Sequence, residues 1–260
     1  MVSLTFSPAE CEQRRERITS FISEQVHNAK ASGIVIGLSG GIDSSLTAAL
    51  AVEAEGADAV HGYSLPSRVT SESTKTDVSL LADTLGIEYT EIAIAPIIDT
   101  IIDQSPYDSV TELTEGNTAA RTRAIVTYLI ANQEGKLVVG TGNRSEALIG
   151  YFTKYGDGAV DCHPLGNLYK TQVRQLARVV GVPEAIIDKP PTAELWADQT
   201  DEGELGIDYD TLDRILALHV DGPLSVEATA QTLGCSKAAI ANITSLVSQS
   251  EHKRVVPPSP

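Results

Sequence analysis

A short apolar run, Ile34-Val35-Ile36-Gly37-Leu38, leads directly into Ser39-Gly40-Gly41-Ile42-Asp43-Ser44, and residues 44–55 then have helical composition. Apolar β-branched runs of this kind are typical of strands buried on both faces, which places the turn at the end of a parallel-sheet strand. Two adjacent glycines let the backbone approach a ligand with no Cβ in the way. Successive N–H groups in such a turn form an anion nest, and the following helix adds the partial positive charge of its N-terminus. Ser39, Ser44 and Ser45 add hydroxyl donors, and Asp43 adds a carboxylate suited to Mg²⁺. The plainer alternative is a glycine turn in which Asp43 or Ser44 only caps the helix. The strand–turn–helix context favours phosphate binding. A Walker A lysine is absent from this turn, which argues against a kinase-type loop.

The same alternation continues along the chain. Strands are expected at residues 59–65, 87–94 and 137–140, and helices at 10–30, 72–85 and 117–132. Alternating elements of these lengths imply βαβ crossovers, so the expected fold is α/β, a doubly wound and mainly parallel sheet with helices on both faces. Past residue 150 the periodicity weakens. Residues 151–169 suggest a functional loop, 172–180 a helix, 189–208 a long ordered loop, and 209–219 and 226–247 a C-terminal helical extension.

Charge narrows the partners. The 260 residues carry 35 Asp and Glu against 19 Lys and Arg, a net charge of −16. Nucleic-acid binding relies on Lys and Arg neutralising phosphates, so it is not expected. Residues 226–243 have a helix-turn-helix look, but Lys237 is the sole cation on the second helix, and a helical hairpin packed on the body is the better reading. The three cysteines, Cys11, Cys162 and Cys235, are far apart and form no CxxC pair, which suits a reducing cytoplasm. No apolar run is long enough for a membrane span. Sparse lysine beside abundant acid resembles proteins adapted to high intracellular salt, where screening relieves self-repulsion.

Several ordered segments carry a more specific resemblance. The Ser39–Ser44 turn is similar to the SGGxDS loop of the ATP pyrophosphatase superfamily. Further along come Ala120-Arg121-Thr122-Arg123, Gly140-Thr141-Gly142-Asn143-Arg144-Ser145-Glu146, Gly150-Tyr151-Phe152-Thr153-Lys154-Tyr155-Gly156-Asp157-Gly158 and Leu168-Tyr169-Lys170-Thr171. Lys189-Pro190-Pro191-Thr192, Gln199-Thr200-Asp201-Glu202 and Glu251-His252-Lys253-Arg254 complete the series. Together they resemble the ammonia-dependent NAD synthetases of compact archaeal type over residues 30–256. Ala159 departs from a glycine common in that family.

The resemblance implies a ligase that adenylates the nicotinate carboxylate of deamido-NAD with ATP, releases pyrophosphate and amidates the product with ammonia. It assigns ATP to Gly37, Leu38, Ser39, Gly40, Gly41, Ile42, Asp43, Ser44, Thr141, Lys170 and Thr192, with Asp43 and Lys170 catalytic. It gives Mg²⁺ to Asp43 and Glu146, and deamido-NAD to Arg121, Lys154, Asp161, His252 and Lys253. It also implies a homodimer. The chain then divides into an N-terminal helix (1–30), an ATP-binding core (31–150), substrate loops (151–208) and C-terminal helices with a tail (209–260), all one domain. No general base stands out; an adenylated carboxyl is already activated, and ammonia is a good nucleophile once positioned.

Overall fold

In the computed structural model, residues 4–192, 196 and 199–259 are described. Helix α1 (Pro8–Ala29) opens with a reciprocal capping box between Ser7 and Glu10, and Lys30 ends it in the left-handed conformation. Its stripe of Ile18, Ile22 and Val26 is buried, as the spacing requires. Strand β1 (Ile34–Gly37) follows, then α2 (Ile42–Glu55), β2 (Val60–Ser64), α3 (Glu72–Leu85) and β3 (Glu88–Glu91). Helices α4 (Ala95–Asp103) and α5 (Glu112–Glu134) precede the short β4 (Leu137–Val138) and α6 (Arg144–Ile149). Then come α7 (Lys170–Val180), α8 (Glu184–Ile187), α9 (Asp201–Leu205), α10 (Tyr209–Ile215), α11 (Val226–Leu233) and α12 (Lys237–Gln249).

The sheet is parallel, in the order β3-β2-β1-β4. Ile34 pairs with Val60 on one side and Leu137 on the other, which makes β1 a central strand. Alternate β1 side chains enter opposite cores. Ile34 and Ile36 pack with residues of α1, α2, α3, α7 and α8, whereas Val35 packs with Ile98 of α4 and Ile130 of α5. Helices therefore cover both faces, as the alternation predicts. A third apolar cluster joins Tyr209, Leu212 and Ile215 of α10 to Ile240 and Ile243 of α12.

Three expectations need correcting. The strand at 87–94 shortens to Glu88–Glu91: this edge strand is mostly exposed, and the chain leaves the sheet toward α4. Helix α4 was not anticipated, because its apolar pattern continues the preceding strand-like run and Pro96 sits at its start, where a proline is tolerated. The expected loop at 189–208 contains α9, capped by Thr200. The stretch at 226–247 is the expected helical hairpin: Gly234 takes a left-handed conformation after α11, and Ser236 caps α12. The hairpin does not make a DNA reader: α12 buries Ile240 and Ile243 against α10, and Lys237 is paired with Glu227 at 3.0 Å. Among the described residues no helix is long and apolar enough to cross a membrane.

Candidate active site

The strand order reverses between β1 and β4, one neighbour leading to β2 and the other away from it. At such a switch point the connections leave in opposite directions and open a crevice at the carboxyl ends of the strands. The Ser39–Ser44 turn lies at the end of β1, and Thr141, half-buried, lies just beyond β4. Gly40 has φ +68°, and a Cβ there would stand 3.0 Å from the Thr74 carbonyl oxygen, so backbone and neighbour both demand glycine. The cap of α2 is Gly41, with no side-chain cap hydrogen bond. Asp43 and Ser44 are therefore not capping the helix. Ser44 Oγ instead lies 3.1 Å from Ser39 Oγ and donates to the Gly41 carbonyl at 3.0 Å, which braces the turn.

Three distant segments meet in front of this turn. The Lys170 ammonium, at the first position of α7, donates to Asp43 Oδ2 and to Glu146 Oε1, the latter at 2.9 Å. Lys170 is only 3% exposed, so its partners are obligatory. Burial alone would lower its pKa, but the Asp43 and Glu146 charges outweigh that and hold it above the ordinary lysine value. Burial, helped by the Asp43 charge, pushes the Glu146 carboxyl up to about 7 against the pull of Lys170.

Asn143, fully buried, connects these groups. Its Nδ2 donates to Asp43 Oδ1 at 2.8 Å, while its Oδ1 caps α6 by accepting the Glu146 N–H at 3.0 Å. Asn143 stands in the Gly140–Glu146 motif without an assigned role in the sequence analysis; its place between a strand end and an apolar helix is the signal that marks it as a cap. Beneath the ammonium lies Tyr209, its ring centroid 5.3 Å from Lys170 Nζ and its hydroxyl donating to Asp201 Oδ2 at 2.9 Å.

Two acids anchor the floor, Asp213 buried and Asp221 at the surface. Asp213 of α10 accepts from Ser145 Oγ and from the Thr171 N–H at 2.8 Å, and Ser145 Oγ in turn accepts the Lys170 N–H at 2.9 Å. Arg144 pairs with Asp221, which also accepts from the Tyr169 hydroxyl. Asp221 follows a π-helical turn at Leu216–Val220, a geometry frequent at functional sites. None of these partners was legible, because each joins elements separated by dozens of residues.

The residues expected to meet deamido-NAD divide into two places. Arg121 donates to the Lys154 carbonyl at 3.3 Å, and Lys154 Nζ donates to the His252 carbonyl at 2.6 Å. Lys253 Nζ holds the Gly150 and Phe152 carbonyls at 2.7 and 2.8 Å, so Arg121, Lys154, His252 and Lys253 converge. Asp161 stands apart from these bonds. Its carboxylate accepts the Val138 N–H at 2.8 Å and the Tyr128 hydroxyl at 3.1 Å, beside a parallel bridge between Val139 and Cys162 at the sheet edge. Tyr128 lies about 10 Å along α5 from Arg121 at 1.5 Å per residue. Thr192 is half-buried, at the start of the segment that leads to α9.

A parallel sheet with an uncapped glycine turn at its switch point and carboxylates facing it defines a nucleotide-handling enzyme of the adenine nucleotide alpha hydrolase-like fold. The family model described as NAD synthase matches residues 14–257. The chain belongs to that family. It is 51% identical over 259 residues to the NH(3)-dependent NAD(+) synthetase of Halobacterium salinarum, covering 100% of this chain and 97% of that protein. The corresponding Methanosarcina mazei protein is 45% identical over 251 residues, covering 96% and 98%. Among solved structures, NMN synthetase from Francisella tularensis superposes with a TM-score of 0.85 at 35% identity, covering 98% and 99%. The NH3-dependent NAD synthetase from Campylobacter jejuni, in complex with nitrate, gives 0.80 at 31%, covering 96% and 98%.

Proposed function

We propose that this protein is an ammonia-dependent NAD synthetase: it adenylates the nicotinate carboxylate of deamido-NAD with ATP, releases pyrophosphate, and amidates the adenylate to NAD and AMP. The observation that carries this is the junction of Asp43, Glu146 and Lys170 in front of the Ser39–Ser44 turn, within a chain matched end to end by synthetases of this kind. The turn receives the departing pyrophosphate through its backbone N–H groups and the α2 N-terminus. With those phosphates gripped, the α-phosphate faces the substrate carboxylate. Thr141 and Thr192 complete the ATP side, and Arg121, Lys154, Asp161, His252 and Lys253 the dinucleotide side.

The donor set suits Mg²⁺: Asp43 and Glu146 present carboxylate oxygens on either side of a position now held by a cation, the Lys170 ammonium. Asp43 and Glu146 would hold the metal there, and its charge would offset that of the phosphates. Among the described residues no three His, Cys, Asp or Glu side chains are already arranged as a chelating group. Phosphate oxygens and water would supply the remaining ligands, as Mg²⁺ favours.

A homodimer is part of the same proposal. Ile101 of α4 and Ile125 and Leu129 of α5 are 44%, 64% and 67% exposed, an apolar face beside Arg121 that a second copy would cover. Ile125→Asp should then convert the protein to monomer in light scattering; a wild-type monomer would refute the dimer. The unpaired cysteines agree with a cytoplasmic enzyme, and the acidity with a salt-rich cytoplasm.

The test is product analysis from purified protein with deamido-NAD, ATP, Mg²⁺ and ammonium. NAD, AMP and pyrophosphate are expected in equal amounts; ADP and phosphate formed in step with NAD would overturn the mechanism. Ammonium should support turnover and glutamine should not. The likeness to an NMN synthetase favours a second substrate, nicotinate mononucleotide, for direct comparison. Deamido-NAD should win in kcat/KM, because Arg121, Lys154, His252 and Lys253 gather where a second nucleotide half would lie.

A further inference from the structure

Asp201, the first residue of α9, is 3% exposed. Its N–H donates to the Pro191 carbonyl at 3.0 Å, and its Oδ2 accepts from Tyr209. Its Oδ1 is buried with no hydrogen-bond partner among the described residues. The nearby Tyr151 hydroxyl donates to Glu204 at 2.8 Å and lies within the field of Asp201 as well. A buried carboxylate oxygen without a partner is costly, and native structures rarely leave one so. Lys170 is the neighbouring cation, in electrostatic contact with Asp201, while Asp43 and Glu146 add like charge. Three carboxylates thus face one ammonium. Arg174 lies on the same Tyr209 ring, 5.9 Å from its centroid.

Tyr209 links the two positions. Its ring lies under the ammonium of Lys170, and its hydroxyl holds Asp201. A lysine ammonium is a compact point charge on a flexible four-carbon stem, so it can turn over this ring from one acid to the other. We infer that Asp201 is the second berth of Lys170: when a divalent cation takes Asp43 and Glu146, the ammonium moves to the open Oδ1 of Asp201. This rests on the reading of Asp43 and Glu146 as the metal carboxylates. Lys170 is then an internal stand-in cation that keeps the metal-free site from carrying uncompensated buried charge, and Asp201 is a positioning residue that acts through it. Without the berth, metal entry would strand a buried ammonium.

The experiment measures Mn²⁺ binding by electron paramagnetic resonance in the full chain with α,β-methylene-ATP, independently of turnover. Asp201→Asn should weaken Mn²⁺ binding at least about tenfold, and Asp201→Glu should restore it to within about threefold. In a Lys170→Met background there is no ammonium to relocate, and Asp201→Asn should change affinity by no more than about threefold, a coupling that a double-mutant cycle isolates. An equal loss in both backgrounds would mean that Asp201 acts on the metal itself or on the fold, and no loss in the wild type would remove the berth; either overturns the inference. Asp43→Asn separates the underlying reading: unchanged Mn²⁺ affinity there would remove the metal site and the berth with it. In the unmutated protein, the Lys170 ε-methylene resonance should shift on Mg²⁺ addition. A resonance that stays fixed counts against the inference even if a variant fails to fold.

Discussion

Two cationic regions of this molecule are built on opposite plans. At Lys170 the charge is buried, answered by two carboxylates from other elements, and braced by Asn143 and Asp213. At Arg121, Lys154 and Lys253 the cations are exposed or half-buried, and they bond backbone carbonyls rather than acids. The difference teaches what each can do. A buried charge set with fixed partners is preorganised, and preorganised charge is most effective where charge develops during reaction. Cations resting on neutral carbonyls keep their net charge for an anionic ligand, and they give specificity and grip more than rate.

The largest effect should separate the two regions outright. Asp43→Asn removes one partner of Lys170 and one proposed metal ligand, and at least a hundredfold loss of turnover is expected, about 2.7 kcal/mol of barrier. Near-wild-type rates at saturating Mg²⁺ would reduce Asp43 to a structural residue. Next, Arg121→Ala and Lys253→Met should each raise the KM for deamido-NAD about tenfold with kcat within about threefold, the signature of lost uniform binding. A fall in kcat at unchanged KM would place these cations in the chemistry instead.

The pH dependence of stability sharpens the contrast further, because burial raises the Glu146 carboxyl beside Lys170. The folded pKa of Glu146, about 7, lies above its ordinary value of 4.5, so its contribution to stability is fully present below 4.5 and is lost as pH rises through 7. Metal-free protein should therefore lose stability across that window in urea titrations, and Glu146→Gln should flatten the slope. An unchanged slope in the variant would assign the pH dependence to other groups. The smallest effect concerns the surface as a whole. With a net charge of −16, the melting temperature should rise between about 0.1 M and 2 M KCl as the Debye length falls toward about 3 Å. A flat curve, with a non-ionic osmolyte as control, would show that screening is not what stabilises the fold.

Much of this architecture is local and could be read along the chain. The burial of Ile34, Val35 and Ile36, the glycine turn after them, and the caps of α1 and α3 depend on a residue and its near neighbours. Helix α4 was not legible, since Ile92, Ile94 and Ile97 fit a strand as well as a helix until the edge of the sheet decides. Ordered motifs likewise marked Asp43, Glu146 and Lys170 as functional residues. That they share one ammonium is a property of tertiary structure: Asp43 and Lys170 are 127 residues apart, and only the crossing of β1, β4 and α7 brings them together. The same holds for Asp201, whose open oxygen exists because α9 packs it against Tyr209. Sequence alone determined which residue types the chemistry has at hand. Burial and long-range contact decided which of them are paired, which are charged and which are free to move, because desolvation and Coulomb energy depend on distances that the order of residues does not contain.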